Sequence, residues 1–178
     1  MDNDVTPIHA STDFDLTPAT WDIPGLKDRG WEGFIPLSTL VGKDAPNVPG
    51  VYVVIRESTQ DPVIGDKGIY QSEKQVAPYR VDELAQRWIK GASVVYIGKA
   101  STSLRKRLGQ YRRAGMAGGT SHNGGRSIWQ LADAEDLLVA WHPVDQDGSG
   151  LEAAEMETQL ITHFRAEYGN RPFANRNK

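Results

Sequence analysis

The chain of 178 residues is 39% hydrophobic and 24% charged, with a net charge of −3, which suits a soluble globular protein with one core. It has no cysteine, so disulfides and thiolate metal sites are excluded, and no apolar run approaches the length of a membrane span. The acidic start, MDNDVTPIHASTDFD, lacks the apolar stretch of a secretory signal, so a cytoplasmic protein is expected.

The charge is unevenly spread. Residues 1–48 hold eight acids and three bases, a net −5, which leaves +2 for residues 49–178. Residues 99–113 carry six bases and no acid: Lys99, Arg105, Lys106, Arg107, Arg112 and Arg113. A local field of that sign draws a polyanion whatever the net charge. The plainer alternative is a solvated helix face.

In chain order, residues 1–30 are polar and proline-interrupted and read as an irregular arm, pinned by Trp21 or Trp31. The short apolar element GFIPLSTL (33–40) completes a first segment, 1–47, set apart from a domain over 48–178. Residues 51–55, VYVVI, are a β-branched strand bounded by Pro49-Gly50. Residues 57–78 read as loop. Residues 79–92 read as a helix, with Val81, Leu84, Ala85 and Trp88 on one face. A second strand over 93–97 stops at Gly98, and Ser101, Thr102 or Ser103 can cap a basic helix over 101–114. A glycine-rich loop (115–126) follows, holding His122 and Arg126. Ser127 is placed to cap a short helix, LLVAWHPV (137–144) is a third strand, and residues 151–168 form the longest amphipathic helix, stopped by Gly169. The order predicts an α+β fold: a small central antiparallel three-stranded sheet flanked by helices, with an insertion at 57–92 between its first two strands.

Two side chains do not belong on the faces they occupy. Glu157 lies on the same stripe as Leu160, Ile161 and Phe164, where a carboxylate is costly without a cation or a proton. Arg107 lies between Leu104, Leu108 and Tyr111 on the buried face of the basic helix. The two can form a salt bridge, or serve as metal ligand and phosphate clamp in one cleft. Periodicity leaves both open. His9, His142 and His163 have no partner at metal-ligand spacing.

These residues together resemble the GIY-YIG nuclease family. Gly50-Val51-Tyr52 is similar to its first signature and Tyr96-Ile97-Gly98 repeats its second, continuing as Gly98-Lys99-Ala100. Arg107 in LRKRL matches the family's helix arginine, Tyr111 its following Tyr or His, Glu157 in ETQLI its catalytic glutamate, and Asn175 in PFAN its late asparagine. A literal Gly68-Ile69-Tyr70 also occurs, in a stretch that reads as polar loop, and is taken as a decoy. The 43 residues between Tyr52 and Tyr96 depart from the family's short hairpin.

The resemblance implies a metal-dependent endonuclease acting on DNA, duplex or branched, with RNA a further possible substrate. Glu157 would hold one Mg²⁺ or Mn²⁺, a hard cation suited to oxygen ligands. Arg107 would bind the scissile phosphate through its planar fork of donors. Tyr96 or Tyr52 would activate or orient water, helped by Lys99, which with Arg107 and the metal would favour the phenolate. Tyr111 would pass the proton on, and Asn175 would orient its neighbours. Arg105, Lys106, Arg112, Arg113, His122 and Arg126 would contact the nucleic acid. The alternative is a catalytically silent nucleic-acid-binding module of the same fold.

Overall fold

The computed structural model describes residues 16–71, 74–115, 123–144 and 152–176. The architecture is α+β. Four antiparallel strands, β1 (Glu32–Pro36), β2 (Gly50–Ile55), β5 (Val94–Ala100) and β6 (Leu138–Pro143), form one sheet in the order β1-β6-β2-β5. A separate hairpin pairs β3 (Ile69–Gln71) with β4 (Lys74–Val76). The helices are α1 (Ile23–Asp28), α2 (Val81–Ala85), α3 (Leu104–Arg113), α4 (Asn123–Ile128) and α5 (Ala153–Tyr168).

Every residue of β2 is buried, because the sheet is covered on both faces. Val51, Val53 and Ile55 meet Met156, Leu160 and Phe164 of α5, with Trp21, Leu26 and Trp31 closing that layer. Tyr52 and Val54 face the opposite layer, with Leu104, Leu108 and Tyr111 of α3, Trp129, and Phe173-Ala174. A continuous apolar run is what a strand buried on both faces requires. Each fully buried aliphatic or aromatic side chain contributes about 1.5–3 kcal/mol, so these two layers hold the sheet.

The three expected strands are present, and a fourth joins them. β1 pairs with β6 through a bulge at Gly33–Ile35, where Phe34 has φ 57°. EGFIP lacks the alternation of a half-buried strand, and its pairing depends on a partner about a hundred residues away, so local sequence gave no sign of it. β5 runs through Gly98 to Ala100 rather than stopping at the glycine, and α3 begins at Leu104 with Ser103 as its cap, Oγ accepting from the Lys106 N–H at 3.1 Å. α5 carries a capping box between Glu152 and Glu155 and ends on Gly169 in the left-handed conformation, φ 73°.

The insertion is more structured than its sequence suggests. Gly68-Ile69-Tyr70 runs into strand β3 rather than lying in a loop. The helix expected over 79–92 is one turn and a half, Val81–Ala85, because Trp88 turns in to pack edge-on against Phe173, 5.2 Å between ring centroids. Ser127 caps nothing; it is buried inside α4. Gln130 instead ties the insertion down: its amide donates to the Gly65 and Tyr79 carbonyls at 3.0 and 2.9 Å and accepts from the Tyr79 N–H at 2.8 Å. Arg56, also buried, donates to Asp133 at 2.6 Å and to the Ser58 and Gln60 carbonyls, so its charge is paired. Among the described residues no helix is long and apolar enough to cross a membrane.

Candidate active site

Strand pairing sets Tyr52 opposite Gly98, next to Tyr96 along β5. A Cβ on Gly98 would lie 2.6 Å from Tyr52 Cζ and 2.6 Å from Tyr96 Cε1. Position 98 therefore needs glycine because two aromatic rings close over its Cα. Gly50 is constrained in the same way: a Cβ there would lie 2.7 Å from Leu104 Cδ1, where α3 crosses the strand.

Tyr111, rising from the buried face of α3, completes a triangle of rings. Centroid separations are 5.8 Å for Tyr52–Tyr96, 5.8 Å for Tyr52–Tyr111 and 5.7 Å for Tyr96–Tyr111, all within the range of favourable aromatic contacts. Tyr52 and Tyr111 are fully buried, and Tyr96 retains 7% exposure. Burial raises all three hydroxyls above the ordinary tyrosine value, Tyr52 and Tyr111 well above it. Arg107 acts in the opposite direction on each but is outweighed. Of the groups expected to depress a phenolate, the arginine beside the rings does not suffice. Removal from water exceeds the nearby cation, so the three phenols are neutral donors at neutral pH. Tyr96 is also raised by the Glu157 carboxylate, which places that group within its field.

Arg107 is half-buried beside the triangle. Its Nε and the Tyr52 hydroxyl are both covered and make no hydrogen bond of good geometry. Among the described residues Arg107 forms no salt bridge. Glu157 is 8% exposed, and the ion pair open to it was not Arg107: Lys99 Nζ lies 3.3 Å from its Oε2. The pair forms because Lys99 alternates with Gly98 along β5 and so faces α5.

A pocket of about 320 Å³ opens between Lys99–Ser103 and the Lys106, Arg107 and Gln110 side of α3. The backbone amides at the start of α3 are already engaged. Leu104 N–H donates to Val48 O at 2.9 Å, Arg105 N–H to Pro46 O at 3.1 Å, and Lys106 N–H to Ser103 Oγ. An anion in this pocket would therefore meet side chains rather than a free helix terminus.

Asn175 does not reach into that pocket. Its Oδ1 accepts from the Ile97 N–H at 2.9 Å and its Nδ2 donates to the Ile97 carbonyl at 2.7 Å. With Ala174 N–H bonding Val95 O at 2.9 Å, the C-terminal segment covers the open edge of β5. Asn175 is thus a brace one residue from Tyr96, in keeping with an orienting role.

Of the basic residues, Arg105, Lys106 and Arg113 are exposed on α3, and Arg112 is half-buried. Arg126 lies apart from them, over Tyr79 of the insertion with 3.9 Å from its guanidinium carbon to the ring centroid. His122 lies outside the described residues. Sequence reasoning missed Tyr79, Arg87 and Gln130; only Gln130, polar within the apolar IWQL run, left a local signal.

For a metal, the described residues contain no group of three His, Asp or Glu that could enclose one. Glu157 alone, paired with Lys99 of the cationic pocket, suits a weakly held ion that keeps most of its waters. Compared with known proteins, the chain matches no family model, no curated protein and no solved structure.

Proposed function

We propose that the protein is a GIY-YIG-like, metal-dependent endonuclease that hydrolyses DNA phosphodiester bonds. The observation that carries this reading is Arg107: a half-buried guanidinium, with a covered and unbonded Nε, facing three tyrosines and a cationic pocket. A charge held in that way, with no counter-ion among the described residues, is stabilised when an oxyanion enters.

In this reading Arg107 binds the scissile phosphate in two-pronged fashion and offsets charge growing on it. Tyr96, the least buried of the three hydroxyls, donates to the phosphate or orients the attacking water. Tyr52 and Tyr111 fix the ring of Tyr96 rather than carry charge. Lys99 releases Glu157 and turns to the phosphate when substrate arrives. Glu157 would hold a divalent ion, which would supply electrostatic stabilisation and a more acidic bound water.

The test is nicking of supercoiled plasmid by the full chain with Mg²⁺ or Mn²⁺ and with EDTA. Nicking only with metal is expected. No cleavage of plasmid, single-stranded DNA or RNA would overturn the reading and leave the silent binding module.

A further inference from the structure

A second group of arginines gathers around Tyr79 of the insertion: Arg126 from α4, Arg176 from the C-terminal segment and Arg87 from beyond α2. Tyr79 is held between two of them: Arg126 Cζ lies 3.9 Å and Arg176 Cζ 3.7 Å from its ring centroid. Two planar guanidiniums cannot lie side by side over one face at that height, so each takes a face of the ring. Stacking leaves the donors of a guanidinium in its own plane, free to meet oxygen atoms. Arg126 donates to the Ala77 carbonyl and Arg176 to Glu83, while Arg126 Nε and Arg176 Nη1 are covered and have no partner.

A third arginine stands behind the stack. Arg87 donates to the Phe173 carbonyl at 3.3 Å and the Asn175 carbonyl at 3.0 Å. Burial lowers its pKa, and the charges of Arg176 and Arg171 add to that, with Glu83 the one carboxylate acting against them. Like charges gathered this closely raise each other's energy unless an anion joins them. With both faces of Tyr79 occupied, no base can stack on it. What remains on offer is positive charge, which suits phosphate rather than base edges.

We propose that the Arg126–Tyr79–Arg176 stack is a second contact for the nucleic-acid backbone, gripping a phosphate of the substrate strand away from the scissile bond. This rests on the endonuclease reading. It gives the insertion a role in holding substrate, independent of base sequence.

The test is the binding of fluorescein-labelled duplex DNA to the full chain by anisotropy, in EDTA, across a series of KCl concentrations. Each of Arg126→Gln and Arg176→Gln should weaken binding about equally on unrelated sequences. Each should also flatten the slope of log Kd against log salt by about 0.9, the signature of one lost phosphate contact. Glu83→Gln, which removes the opposing carboxylate from an exposed position, should tighten binding; it keeps the proposal testable if an arginine variant fails to fold. Unchanged slopes in variants that melt like the wild type, or no gain in Glu83→Gln, would overturn the proposal while leaving the nuclease standing. A wild-type chain that neither binds nor cuts DNA would instead overturn the endonuclease reading on which the proposal rests.

Discussion

Asn175→Ala separates a brace from a catalytic group. The wild-type side chain satisfies both the N–H and the C=O of Ile97, at 2.9 and 2.7 Å, on the edge strand that carries Tyr96 and Gly98. Alanine removes donor and acceptor together and leaves two backbone groups of a buried residue without partners. At about 1–1.5 kcal/mol for each bond, the loss is about 2–3 kcal/mol. For a chain of this size that lowers Tm by about 4–12 °C. The assay is thermal unfolding followed by circular dichroism, beside the nicking rate at a temperature where the variant is folded. Stability should fall as stated, with a smaller loss of rate because Tyr96 is less well fixed. A variant that melts like the wild type but cuts nothing would refute the brace and put Asn175 in contact with substrate.

Gly98→Ala would drive a methyl group into the Tyr52 and Tyr96 rings, so it should cost about 1–3 kcal/mol and most of the activity, read by denaturant unfolding and nicking. Arg107→Lys should bind DNA nearly as well as the wild type but cut it at least about tenfold more slowly, because an ammonium cannot reproduce the fork; equal rates would argue against two-pronged binding. The tyrosine triangle makes a prediction about alkaline pH. Its hydroxyls titrate higher in the folded chain than the value of about 10 for an exposed tyrosine. The unfolded chain therefore loses these protons first, and stability that is complete below about pH 10 declines as pH rises above it. Tyr52→Phe should decline less steeply in urea unfolding between pH 9 and 11, on the same principle. A rise in cleavage rate tracking tyrosine ionisation between pH 7 and 9 would contradict the neutral-donor role.

The elements legible in the sequence were those whose own residues declare them. VYVVI, VVYIG and LLVAWHP are short, β-branched or aromatic apolar runs that suit a sheet covered on both faces, and α3 and α5 show three- and four-residue spacing with local caps. β1 was illegible because its register is set by β6, and the helix expected over 79–92 was overstated because tertiary contacts of Trp88 end it early. Arg107 and Glu157 were visible as charges on apolar stripes. The partner of Glu157 was not, since strand alternation decides that Lys99 meets α5. The weight of burial on the tyrosines was not legible for a related reason: nearby cations can be read from a motif, whereas burial depends on the whole fold. Arg126 and Arg176 share one ring although 50 positions apart, and no local pattern could have joined them.

The most direct test of the central claim is single-turnover DNA cleavage by Glu157→Gln beside the wild type in Mg²⁺, with both melting curves recorded. Glutamine keeps the shape and a hydrogen bond to Lys99 while removing the charge that would hold the ion. The account predicts a folded variant whose rate falls at least about 100-fold, the scale of losing one preorganised electrostatic group. Cleavage that persists at the wild-type rate in the folded variant would contradict it.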